Sequence, residues 1–310
     1  MEEFLFVEKY RPKKVSDCIL PKRLKHPFEA FVRDGEIPNM LLHGPPGMGK
    51  TTIAKAMCLE LGINHLYINA SRERGVDTVK HKIVSYASTV SMTGGRKVII
   101  LDEADNLTSD AQLALRASIE EFSGNCTFVL TCNFKAKLIE ALYSRCPSYD
   151  FTLKSDEKPA MASQFFRRVS EILTLENITF TKDVVIEIIK KFFPDYRQIL
   201  GEIQKYGKMG AIDAGTLAEI ASVQKLDDLI KSLKSRDFPA MRKWVVQNSD
   251  VDSSTIFRKV YDGLSESMKP ECIPQAIVIL AKYQYQSAFC SDTELNLVAC
   301  FVEIMVDCFD

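Results

Sequence analysis

Between Gly44 and Thr51 the chain reads Gly-Pro-Pro-Gly-Met-Gly-Lys-Thr, a match to G-x-x-x-x-G-K-[ST]. No other stretch constrains the fold as tightly. The pattern has physical meaning only where a buried strand enters the loop and a helix leaves it, because the backbone N–H groups must converge on an anion at the positive end of that helix. Both flanks meet the requirement: residues 39–43 are a short apolar run, and from Thr51 to Leu61 apolar residues recur at helical spacing. Gly44, Pro45, Pro46, Gly47, Met48, Gly49 and Thr52 are therefore expected to cradle the phosphates of a nucleotide. Lys50 is expected to reach the β- and γ-phosphates, and the Thr51 hydroxyl to ligate Mg²⁺.

Two more apolar runs repeat this strand character. Val98 to Leu101 ends on Asp102-Glu103, and Cys126 to Thr131 ends on Cys132-Asn133. Runs of this length suit strands buried on both faces, so the first 150 or so residues read as a doubly wound α/β domain with a parallel sheet. Ligands in such sheets bind beyond the carboxyl ends of the strands. Asp102 is then the expected Mg²⁺ holder, and Glu103 the group that polarises a water for attack on the γ-phosphate, which implies hydrolysis. Asn133 would orient that water.

Beyond Lys154 the strand pattern fades and helical periodicity takes over, as at Val184, Val185, Ile188, Ile189 and Phe192 behind a Thr181 N-cap. Leu226, Leu229, Ile230 and Leu233 form another stripe, and Pro239, Pro270 and Pro274 divide the remainder of the chain into separate helices. The expected domains are 1–151, a small helical domain over 152–222, and a helical bundle over 223–310, with the boundary near Val223.

Composition removes other classes. Forty basic against forty-one acidic residues leave a net charge of −1, so a polybasic binder is excluded and any nucleic-acid surface must be a local patch. Segment 71–97 is such a patch, with six basic and two acidic side chains, and 8–25 carries seven and two; a solvated face explains either equally well. No apolar run approaches the roughly 18 residues of a membrane helix, and the acidic start is not a secretory signal, so the expectation is an intracellular protein with no membrane partner. The nine cysteines are scattered without a Cys-x-x-Cys pair, which points to buried thiols.

Two arginines lie outside the loop. Arg145, in Tyr-Ser-Arg-Cys-Pro, comes after the third strand and is a candidate for a finger that serves a neighbouring subunit, with a surface salt bridge as the plain alternative. Arg197, in Phe-Pro-Asp-Tyr-Arg, is expected in the first turn of a helix begun by Pro194, where it could touch the γ-phosphate.

With these residues in place the chain resembles the AAA+ sliding-clamp loader family over most of its first 210 or so residues. Val7-Glu8-Lys9-Tyr10-Arg11-Pro12 is similar to the family's amino-terminal box, and Asn69-Ala70-Ser71-Arg72-Glu73-Arg74-Gly75 to its Asn-Ala-Ser-Asp-Glu-Arg-Gly box, with Arg72 in place of the acid. Asp102-Glu103-Ala104-Asp105, Thr131-Cys132-Asn133 and Ser144-Arg145-Cys146 come in the family's order. The form of the Arg197 motif and of Asp17 to Pro21 most resembles the large subunit of T-even-type phage loaders.

The resemblance implies an AAA+ ATPase domain, a helical lid and an all-helical collar, with ATP and Mg²⁺ bound. It implies that Tyr10, Arg11, Pro12, Cys18 and Ile19 surround the adenine, that Asn133 and Arg197 are the first and second sensors, and that Arg145 is the finger. Thr78, Lys80 and Lys82 would follow DNA phosphates, and Gln112 and Arg116 would couple the nucleotide site to the interface or DNA. The implied partners are a sliding clamp, a second and different loader subunit, further copies of the chain in a five-membered spiral, and primer-template DNA. The implied location is the host cytoplasm if the chain is phage-encoded. A non-hydrolysing scaffold subunit, and another AAA+ enzyme such as a helicase loader or branch-migration motor, remain the competing readings.

Overall fold

A computed structural model describes residues 4–89, 96–208, 210–213, 226–249, 252–268 and 271–309. The chain forms two compact units, 1–214 and 215–310. The expected boundary at Val223, and Pro270, lie outside the described residues.

In the first unit, strands β1 (Met40–His43), β2 (His65–Asn69), β3 (Lys97–Asp102), β4 (Cys126–Cys132) and β5 (Ser148–Asp150) make one parallel sheet in the order β2-β3-β4-β1-β5. The doubly wound reading holds. The register sets Ile100 opposite Val129 and Leu41 opposite Leu130, so alternate side chains enter two cores. Helices α1 (Phe6–Lys9) and α2 (Lys22–Asp34) precede β1, and Met40, Leu42, Val98, Ile100 and Val129 pack with Ile53 and Met57 of helix α3 (Lys50–Glu60) on one face. Leu41, Ile99, Leu101, Phe128 and Leu130 pack on the other with Leu115 and Ile119 of helix α5 (Ser109–Glu121) and Ile83 of helix α4 (Val76–Ala87). All seven residues of β4 are buried, which is why the central strands read as unbroken apolar runs.

β2 and β5 sit at the edges of the sheet, and their patterns did not announce them. Only Ile68 of β2 is fully buried, and β5 has none.

Helix α6 (Glu140–Tyr143) precedes β5, and beyond the sheet lie helices α7 (Lys158–Leu175), α8 (Lys182–Phe192) and α9 (Tyr196–Lys208). Two expectations from the sequence fail here. Strand structure does not end near Lys154, because Thr179–Phe180 and Ala211–Ile212 form a short parallel pair. Nor does Pro194 begin the next helix: α9 starts at Tyr196, and Asp195 Oδ1 accepts from the Gln198 amide at 2.9 Å, so the aspartate caps it. Arg197 nevertheless falls in the first turn, as expected. Thr181 is the N-cap of α8 by position, without a side-chain cap bond.

The second unit is helical over Leu226–Lys234, Phe238–Gln247, Ser253–Ser267, Ile273–Ser287 and Thr293–Asp307. Pro239 and Pro274 stand in the first turns of their helices. Leu229, Leu233, Met241, Trp244, Phe257, Ile279 and Phe301 share its core. Among the described residues, no helix is long and apolar enough to cross a membrane.

Candidate functional site

The phosphate loop turns out of β1 with three glycines at positive φ: Gly44 at 133°, Gly47 at 72° and Gly49 at 86°. Side chains are disfavoured there, and at Gly47 an added Cβ would also lie 1.9 Å from Asp195 Oδ1. Lys50 opens α3 and is buried. Its ammonium donates to the carbonyls of Gly44 and Pro45 at 2.6 and 2.7 Å and to Asn133 Oδ1 at 2.9 Å. Burial pushes its pKa down to about 8, with the nearby carboxylates of Asp102 and Asp105 among the groups acting against that shift.

The ends of β3 and β4 bring the remaining chemistry alongside. Thr51 and Thr131 each donate a hydroxyl to Asp102 Oδ1, at 2.5 and 2.6 Å, and Tyr67 donates to Oδ2 at 2.7 Å. Glu103 has φ 57° and ψ 44°, a left-handed conformation that costs a non-glycine residue about 1–3 kcal/mol. Local bonds hold it there: its amide donates to Thr131 Oγ1 at 3.0 Å, and its carboxylate accepts from the Ser71 hydroxyl. Asn106 donates to Ser71 Oγ at 2.9 Å and so steadies the pair. Asn133 is fixed at both ends, since its side chain meets Lys50 and its amide, with that of Phe134, donates to buried Asp105 at 3.3 and 3.1 Å.

These groups line one cavity. Pro46, Gly47, Met48, Gly49, Lys50, Thr51, Thr52, Asp102, Glu103 and Asn133 are on its wall, joined by Tyr10, Arg11, Pro12, Cys18 and Ile19. Helices α7 and α9 contribute Phe165, Arg168, Ile172, Tyr196, Arg197 and Leu200. Gly44 and Pro45 act one step behind, through the carbonyls that hold Lys50.

The amino-terminal box is strapped to both parts of the unit. Tyr10 OH and Lys9 Nζ donate to Glu176 at the end of α7, the latter at 2.6 Å; the Phe6 amide donates to Gln204 of α9 at 3.0 Å. The Lys9 ammonium, then the Tyr10 hydroxyl, holds the Glu176 carboxyl below its ordinary value. Arg11 donates to Thr52 Oγ1 at 3.2 Å and pairs with Glu8. Burial pushes the Cys18 thiol up to about 12.

Other expected residues stand apart from the cavity. Arg145 pairs with Glu120 of α5 and donates to Ala141 O at 2.8 Å and Ser144 Oγ at 3.1 Å. It therefore does not face the nucleotide cradle of its own chain. Gln112 is buried, donating to the carbonyls of Leu107 and Lys137 at 3.2 and 3.1 Å and accepting from the Ile139 amide at 2.8 Å. It ties α5 to the segment that leads to Arg145. Arg116 is half-buried on the same helix, with an Nε that has no partner among the described residues. On α4, Lys80 is exposed and Lys82 pairs with Glu73 at 2.7 Å; the side chain of Thr78 lies outside the described residues.

Sequence reasoning missed Thr131, although it lies within a quoted motif, because a hydroxyl on a buried strand reads as filler. Phe165, Arg168 and Ile172 recur at helical spacing, which reads as ordinary packing. Tyr67 sits in no motif.

Among the described residues, no group of three or more His, Cys, Asp or Glu could hold a metal ion. The hydroxyl of Thr51 and the carboxylate of Asp102 are instead hard oxygen donors side by side, a set that fits an Mg²⁺ arriving on nucleotide phosphates.

The chain is similar to known proteins. Residues 40–151 match the ATPase family associated with various cellular activities (AAA), and residues 157–218 match the AAA+ ATPase lid domain of the sliding-clamp-loader large subunit. The sliding-clamp-loader large subunit of Enterobacteria phage T4 is 33% identical over 98% of this chain and 96% of its own length. That of Escherichia phage RB69 is 36% identical over 78% and 77%. The replication factor C small subunit of Archaeoglobus fulgidus is 34% identical over 76% and 74%. Among solved structures, the RuvB Holliday junction branch migration motor of Thermotoga maritima superposes with a TM-score of 0.54 over 72% of this chain and 78% of its own, at 20% identity, a likeness of fold alone.

Proposed function

The chain belongs to the sliding-clamp-loader family of AAA+ ATPases, and from that premise we propose that it is the ATP-hydrolysing subunit of a loader whose ATPase is switched on by primer-template DNA. The role itself is that of a clamp-loader ATPase in DNA replication. The observation that carries the proposal is the convergence of Lys50, Thr51, Asp102, Glu103 and Asn133 on one cavity whose other side holds Arg197.

In this reading the amides of Gly47 to Thr51 face the phosphates, and the Lys50 ammonium exchanges the loop carbonyls for β- and γ-phosphate oxygens. Thr51 and Asp102 would hold Mg²⁺, which would supply charge neutralisation for the transferring phosphoryl group. Glu103 accepts a proton from the attacking water, a step worth about 10²–10⁴-fold in rate. Asn133, held by Lys50 and Asp105, orients that water. Arg197 meets the γ-phosphate from the lid, so the lid's setting depends on the nucleotide. Tyr10, Arg11, Pro12, Cys18 and Ile19 enclose the base.

Arg145 serves the site of a neighbouring copy, in keeping with its place outside its own cradle. The proposed assembly is a five-membered spiral of several copies with one different subunit, gripping a sliding clamp and acting in the host cytoplasm where the chain is phage-encoded. Residues 1–151, 152–222 and 223–310 are its ATPase, lid and collar domains. Thr78, Lys80 and Lys82 track DNA phosphates, and Gln112 and Arg116 couple the nucleotide site to the interface or to DNA.

The test is steady-state ATP hydrolysis by the chain with its partner subunit, with no addition, with primer-template DNA, and with DNA plus clamp. The rate is expected to climb at each addition, and Glu103→Gln to abolish turnover while ATP still binds. A flat low rate in all three conditions would overturn the DNA-triggered reading and leave a scaffold or an unrelated AAA+ role.

A further inference from the structure

Tyr67 lies outside every motif, on the edge strand β2, yet its hydroxyl reaches the carboxylate at the centre of the site. Asp102 Oδ1 already accepts from Thr51 and Thr131. Oδ2 accepts from Tyr67 alone among the described residues. The register explains the meeting: β2 and β3 run parallel with Asn69 opposite Asp102, and Tyr67, two residues earlier, projects from the same face of β2 as Asn69. Its ring also meets α3, where the Lys55 ammonium stands 4.2 Å from the ring centroid. Lys55 is one helical turn beyond Thr51 on α3.

We propose that Tyr67 is a positioning residue that fixes the plane of the Asp102 carboxylate for the divalent cation carried by the nucleotide. A carboxylate held through one oxygen can still turn about its Cβ–Cγ bond. Hydroxyl donors on both oxygens stop that rotation, so Oδ1 stays against Thr51 where the two oxygen donors meet. Mg²⁺ demands near-ideal octahedral geometry and punishes a misdirected ligand. Partners that orient a metal ligand from behind are worth about 10–100-fold in metal affinity. Phosphate binding by the loop does not need Tyr67, so its contribution is separable from nucleotide affinity as such.

The inference rests on the nucleotide-site reading, and the experiment tells the two apart. Tyr67→Phe in the full chain removes the hydroxyl and keeps the ring under Lys55. Binding of a fluorescent N-methylanthraniloyl-ATP is titrated in EDTA and then against rising MgCl₂, with thermal melting in parallel. The Mg²⁺ concentration giving half of the tight-binding response is expected to rise about 10–100-fold, with EDTA affinity and melting temperature unchanged. A midpoint equal to that of the unsubstituted chain would overturn the inference and leave the ATPase reading intact. If the unsubstituted chain bound the probe no better with Mg²⁺ than in EDTA, the inference alone would fall; if it bound the probe in neither condition, the nucleotide-site reading would fall with it.

Discussion

Lys50 is the residue whose environment most directly sets its chemistry. Burial holds its pKa near 8, whereas phosphate oxygens against the ammonium would favour the charged form and raise it. Above about pH 8 much of the free lysine is therefore neutral, so ATP binding must take up a proton there, and affinity falls as pH climbs through that value. Calorimetry at about pH 8.5 in two buffers of different ionisation enthalpy should reveal that proton, and Lys50→Arg should abolish its uptake because guanidinium does not titrate. An identical heat in both buffers would contradict the shift. For folding, a depressed lysine pKa is a cost fully present below about pH 8 that fades as pH rises toward the ordinary lysine value. Lys50, Thr51, Asp102 and Glu103 were legible as chemistry because each ends or adjoins a short local pattern. Ser71 and Thr131, which hold the two acids, and Asp105, which holds Asn133, were not, since a hydroxyl or carboxylate that bonds across strands leaves no periodic trace.

At the level of elements, burial on both faces made β1, β3 and β4 readable, and edge positions hid β2 and β5. The same burial locates the stability of the first unit. Phe128 is fully buried in β4, between β3 and β1, so Phe128→Ala removes its ring from the core beneath α5. The expected loss is about 3–5 kcal/mol, read as an earlier urea transition of the unit spanning 1–214 with that of 215–310 unmoved. An equal shift of both would mean that the two units unfold as one. Asp195 shows an element end that sequence misjudged: Pro194 looked like the first helical residue, but the aspartate's capping bond starts α9 two positions later.

Over the whole molecule a net charge of −1 leaves no global attraction to DNA, so any contact must come from local groups. α4 offers two different ones, Lys80 exposed and Lys82 engaged with Glu73. If this helix tracks phosphates, Lys80→Ala should lower the slope of log affinity against log salt by about one. Lys82→Ala should lower it less, because its ammonium must first leave Glu73. Equal slopes for both variants and the unsubstituted chain would remove α4 from the DNA surface.

Residues a few positions apart were enough to specify the phosphate loop, the three central strands and the order of motifs, because local sterics or two-faced burial rules each of them. Folding was needed to bring Glu103, Asn133 and Arg197 into a shared cavity while leaving Arg145 outside it, to tie the amino-terminal box to the lid through Glu176 and Gln204, and to carry Tyr67 to Asp102. Those meetings depend on the strand order β2-β3-β4-β1-β5 and on the crossovers that produce it, and no local pattern of side chains carries the register between strands that lie tens of residues apart.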